Sequence, residues 1–148
     1  MISKIEHQGK LYAMIVSARF SEPGVNFITP DEASLQVGFM NHPAGKKIKP
    51  HIHTPTTRNI YFTHEVLIIK RGKLRVDFYD EQKNYLESHI LESGDVILLE
   101  YGGHGFEVLE EIEMIEVKQG PYKAEADKNR FEGIQAEEAI LPKGSKHG

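Results

Sequence analysis

The sequence predicts an all-β fold of sandwich or barrel type. Three observations carry that reading. Short runs of strand-forming residues recur at even spacing, turn-forming clusters separate them, and helical periodicity is weak throughout. Leu11–Val16 is the first run and Ser34–Met40 the second. Glu65–Ile69 and Leu74–Tyr79 flank Arg71-Gly72-Lys73, which reads as a hairpin turn around a glycine. Leu74, Val76 and Phe78 alternate with Arg75, Asp77 and Tyr79, the pattern of a half-buried strand. Tyr85–Leu91, Val96–Leu99, Phe106–Leu109 and Glu113–Val117 complete the series. Asp80–Asn84, Ser93-Gly94-Asp95 and Gly102-Gly103 are the turns between them, and Glu110-Glu111 reads as a surface turn. Only Ala124–Arg130 and Glu137–Leu141 read as short helices. The expected organisation is one barrel domain over residues 1–120 and a mostly irregular C-terminal arm over 121–148, disordered from Lys143 onward.

Composition bounds the chemistry. The chain has 148 residues, enough for one domain with a real core. It has no Cys, which excludes disulfides, thiolate metal sites and a cysteine nucleophile. The net charge of −4 gives no basic excess for nucleic acid or an anionic membrane. No run of apolar residues is long enough for a membrane span, and the first residues lack the apolar core of a signal peptide. A cytoplasmic protein is expected. Phosphate-loop, dinucleotide-binding and serine-hydrolase signatures are not found in the sequence.

The eight histidines are the informative feature. His51 and His53 are one residue apart, so on a strand both imidazoles project from one face. Glu65 opens a later strand and offers a carboxylate, and His104 follows Gly102-Gly103. Three imidazoles and a carboxylate make a sulfur-free donor set that suits Fe(II), Mn, Ni, Zn or Cu. An H-x-H pair by itself is equally at home on an exposed strand. What raises the reading is the convergence of the four residues on strand ends of one barrel.

These residues resemble a known pattern. Gly45-x5-His51-x-His53 followed by Glu65-x6-Gly72 looks like the first cupin motif, and Gly94-x7-Gly102-x-His104 looks like the second. The resemblance covers residues 35–117. It implies a double-stranded β-helix, a jelly-roll-like barrel of two facing sheets, with one divalent transition metal inside. The metal would be held by His51, His53, Glu65 and His104. The chain departs from the pattern in two places. Residues 54–64 form an insertion between His53 and Glu65, and Glu100 stands where the family has Pro. The insertion makes His64, the neighbour of Glu65, a reserve ligand. Gly102–Glu107, Glu116–Tyr122 and Asp127–Phe131 are similar to a subgroup of small single-domain cupin metalloproteins, which we associate with bacterial surface-polysaccharide contexts.

If the register holds, Glu65, Leu67 and Ile69 face inward, with Leu74, Val76 and Phe78, and form an apolar cup around the metal. Val66 and Ile68 then face outward and need a cover, either the N-terminal strands or a second subunit; a homodimer is expected. Within the insertion, Arg58 would clamp an anionic group of the substrate. Tyr61, Tyr101 and Glu100 would transfer protons. A solvated loop residue is the competing identity of each. The functional expectation is a metal-dependent isomerase or epimerase acting on a sugar or another small carbonyl compound. The rival readings are an Fe(II) dioxygenase and a sensor or carrier that binds metal or ligand without turnover.

Overall fold

The computed structural model describes residues 1–123 and 128–143. The chain folds into an all-β, antiparallel sheet that curls into a half-barrel. Its strands are β1 (Ile2–His7), β2 (Lys10–Val16), β3 (Gly24–Phe27), β4 (Gly38–Asn41), β5 (Glu65–Tyr79), β6 (Tyr85–Glu92), β7 (Val96–Leu99) and β8 (Gly103–Lys118). The order across the main sheet is β1-β2-β7-β5-β6, with β8 paired to the other edge of β5. β3 and β4 form a separate hairpin.

The two longest strands correct the hairpin reading. Residues 65–69 and 74–79 do not pair with each other. Both belong to β5, and both pair with β8, from Glu65 opposite Lys118 to Tyr79 opposite Gly103. Arg71-Gly72-Lys73 is therefore a corner within one strand. The ladder shifts register there, between Ile69 and Leu74, and Gly72 adopts φ +91°. A Cβ on Gly72 would lie 2.1 Å from the carbonyl oxygen of Glu111, so only glycine lets the two backbones cross this closely. Glu110 and Glu111 likewise lie within β8 rather than in a turn.

β5 is the axis of the fold because both of its faces are covered. On the inner face Leu67, Ile69, Leu74, Val76 and Phe78 join Tyr12, Leu91, Ile97 and Leu99 in the main core. On the outer face Val66 packs with Met14 and Leu98, and Ile28, Leu35, Val37 and Ile68 pack against them. The chain's own N-terminal third is thus the cover that Val66 and Ile68 required. Further along β5, the outer face holds Arg75 and Asp77, both about 5% exposed. The C-terminal arm lies against this end of the sheet. Ser88 N donates to Ile140 O at 2.9 Å, Ile134 N to Tyr79 Oη at 3.0 Å, and Ile140 N to Tyr85 Oη at 2.7 Å.

Three further expectations shift. The run at 34–40 is a strand only from Gly38, because Leu35 and Val37 serve as cover for the outer core. The helix expected at Glu137–Leu141 is a single 3-10 turn over Ala136–Glu138. Of the helix expected at 124–130, residues 124–127 lie outside the described residues, and 128–130 are irregular. The tail from 144 onward also lies outside them. Among the described residues, no helix is long and apolar enough to cross a membrane.

Candidate functional site

The curl of the β5–β8 ribbon builds the first part of the site. Glu65 begins β5, and His104 lies opposite Phe78, near the other end of that strand. A straight strand would separate Glu65 from Phe78 by roughly 43 Å at about 3.3 Å per residue. Instead His104 Nε2 lies 3.1 Å from Glu65 Oε2. The ribbon has folded about the Gly72 corner and brought its two ends together across the concave face. Gly102 prepares the second end. Its φ is +70°, and a Cβ there would lie 2.1 Å from the Tyr12 ring, so the backbone can press onto Tyr12 and Tyr79 just before His104.

The pair is electrostatically matched. An ionised carboxylate only accepts hydrogen bonds, so His104 Nε2–H is the donor. That hydrogen bond holds the Glu65 carboxyl below the usual carboxylate range, against the opposing effect of burial. Lys118 Nζ stands 3.9 Å from Glu65 Oε1 and adds a weaker attraction in the same direction. Phe106 packs beside the His104 ring, at 5.3 Å between centroids.

The other two expected ligands lie apart from this pair. His51 and His53 are not on a strand; the whole of 42–64 is without regular secondary structure. Their rings still meet edge to face at 5.0 Å, and His51 Nδ1 lies 3.2 Å from Lys49 O. The four predicted ligands thus form two pairs. Among the described residues, no group of three or more His, Asp or Glu side chains is gathered as a metal cluster. His64, the reserve ligand, points elsewhere: its Nδ1 lies 3.2 Å from Ser34 Oγ, and its backbone N donates to Gln119 Oε1 at 2.6 Å.

The remaining predicted side chains are distributed around the rim. Arg58 is exposed, donates to Thr56 O at 3.5 Å, and faces Glu32, Ser34 and Asn59 in a shallow cleft. Tyr61 is 91% exposed and touches Phe62 edge to face. Tyr101 is engaged from two sides. It accepts from Lys10 Nζ at 2.5 Å and donates to Glu81. The Lys10 ammonium also stands 4.2 Å from the Tyr101 ring centroid.

The chain matches no family model, no curated protein and no solved structure. Its site therefore rests on its own geometry. That geometry gives weight to a residue that received only passing notice in the sequence, Glu100. Its Oε1 is buried without a hydrogen-bond partner among the described residues, and burial pushes its carboxyl above the usual range. The signal in the sequence was Glu100 itself, a carboxylate directly after the apolar run Val96–Leu99.

Proposed function

We propose that the chain is a metal-binding barrel of the cupin, double-stranded β-helix type, and that it acts as a metal-dependent isomerase or epimerase on a sugar or another small carbonyl compound. The observation that carries this reading is the Glu65–His104 contact at 3.1 Å, made by two motif residues 39 positions apart. The donor chemistry fits. Glu65 is held ionised, the imidazoles supply nitrogen, and no sulfur competes. Glu65, His104, His51 and His53 would hold the ion. A bound divalent cation would supply Lewis acidity toward a substrate oxygen.

The chain's own residues have separate tasks. The 3.1 Å contact keeps the Glu65 carboxylate and the His104 ring side by side, so both would reach one ion. Phe106 and Val108 follow His104 on the same face of β8, are partly exposed, and offer an apolar wall to a substrate carbon skeleton. Lys118, beside Glu65, would attract an anionic group of the substrate.

A second reading, a sensor or carrier without turnover, is favoured by the positions of the expected catalytic side chains. Arg58 lies in a separate cleft with Glu32 and Ser34, Tyr61 is almost wholly exposed, and Tyr101 is engaged with Lys10 and Glu81. Metal analysis of untagged protein tests the shared premise. About one equivalent of metal is expected, lost in both His104→Ala and His51→Ala while the sheet stays folded. Less than about a tenth of an equivalent, with no uptake on reconstitution, would end the metal reading. Turnover of a carbonyl sugar panel without oxygen uptake separates the isomerase from a dioxygenase. Ligand binding without product supports the sensor.

A further inference from the structure

A second cleft lies where the start of β2 and the end of β7 meet the chain entering β5. Lys10, Leu11, Phe62, His64, Glu100 and Tyr101 bound an open cleft of about 380 Å³, a volume suited to a small molecule. We propose that this cleft binds a small neutral polyhydroxyl compound, with the Glu100 carboxyl as its hydroxyl partner.

The argument starts from the unpaired oxygen. Buried polar atoms are almost always hydrogen-bonded, and leaving one unpaired costs stability. Glu100 Oε1 is enclosed and has no partner among the described residues, yet the side chain that carries it lines the cleft, so a turn of the carboxyl would present it there. A group that carries such a cost beside a cavity is placed to receive a ligand.

The surroundings select the ligand's charge. An organic cation is disfavoured, because Lys10 already occupies the Tyr101 ring face that would hold it, at 4.2 Å from the centroid. An anion is disfavoured by the Glu100 carboxyl in the lining. Lys10 is itself matched by Glu81 at 3.3 Å, so it offers little unbalanced charge. What remains is a neutral molecule with hydrogen-bonding hydrogens and an apolar face. Leu11, Phe62 and Tyr101 supply the apolar counterpart, and the two rings meet edge to face at 5.1 Å, giving a fixed wall. A hydroxyl is also the group that suits Glu100 in either protonation state. It donates to the carboxylate, and it both donates to and accepts from the neutral acid.

This site does not depend on the metal reading, and the test keeps the two apart. The full chain, with a chelator present, is titrated with myo-inositol, tetramethylammonium chloride and sodium acetate by amide NMR. Inositol is expected to move the resonances of Phe62, His64, Glu100 and Tyr101, and the two ions are not. Glu100→Leu should weaken inositol binding about tenfold or more, as loss of a charged or shared-proton hydrogen bond does. The same variant should raise the denaturation midpoint, because it removes a buried unpaired oxygen. Phe62→Ala should weaken binding without unfolding the sheet. Four results would overturn the proposal: no response to inositol, an equal response to either ion, unchanged binding in Glu100→Leu, or an ordered water on Glu100 that inositol does not displace.

Discussion

Three acidic residues in this chain show how surroundings, rather than residue type, decide what a carboxylate does. Glu65 has an imidazole donor and stays ionised. Asp77 is buried and fully engaged: Arg75 Nε and Nη2 donate to its two oxygens at 2.7 and 3.0 Å, and Ser88 Oγ donates at 2.5 Å. Glu100 has a buried oxygen with no donor among the described residues. Asp77→Ala should therefore be costly, since it strips a buried guanidinium of its bidentate partner and leaves only the half-exposed Glu107. A loss of about 3–5 kcal/mol is expected by urea denaturation, and a loss under about 1 kcal/mol would show that Glu107 alone suffices.

Glu100 should behave in the opposite sense. Its folded-state pKa is raised, chiefly by burial and in spite of His64, so the folded chain holds the proton more tightly than the unfolded one. Its contribution is present below the unfolded pKa of about 4.3 and is lost as pH rises through the folded value. Glu100→Gln, which stays neutral, should gain stability over the wild type as pH rises from 4 to 8. Denaturation midpoints measured across that range check it; a constant difference would mean that the carboxyl is solvated.

At the scale of the element, the corner in β5 carries the geometry of the site. Gly72→Ala would place a methyl group against the Glu111 carbonyl at a positive φ. The ribbon would have to open, and Glu65 would part from His104. We expect a loss of about 3 kcal/mol or more and a Glu65 carboxyl that titrates near its ordinary value. Gly105→Ala is the control, because its added carbon meets nothing closer than Tyr79 at 3.8 Å. The strand-forming runs and the alternation in residues 74–79 were legible because they depend on neighbours in sequence. The corner was not. A glycine with positive φ between two strand-like runs looks the same whether the chain reverses into a hairpin or bends onward. The choice is made by β8, some 40 residues later, whose single strand pairs with both halves. β1 and β3 were not read as strands at all, although each pairs with the next strand along the chain. Glu65 and His104 were named together in the sequence only through the resemblance of their spacing to a known pattern, and the structure brings the two side chains into contact.

At the scale of the molecule, the chain divides into a rigid and a loosely held part. β5 is covered on both faces and bonded along both edges, whereas residues 42–64 have no strand and are almost wholly exposed. Local opening costs least where buried contacts and backbone pairing are fewest. Amides in 42–64 should therefore exchange with solvent far faster than those of β5, and proteases should cut there first. The proposed metal reading adds a consequence, because it draws one pair of ligands from each part. His51 and His53 lie in the loosely held segment, while Glu65 and His104 are anchored in the sheet. An ion held by all four would tie the segment to the sheet, and ordering would be paid out of binding free energy. Addition of the cognate divalent metal should then slow both exchange and proteolysis in 42–64 and leave β5 unchanged. His51→Ala should abolish that protection without altering the metal-free pattern. If metal binds yet the segment stays as open as before, the ion is held by Glu65 and His104 alone, and the His51–His53 pair belongs to the surface.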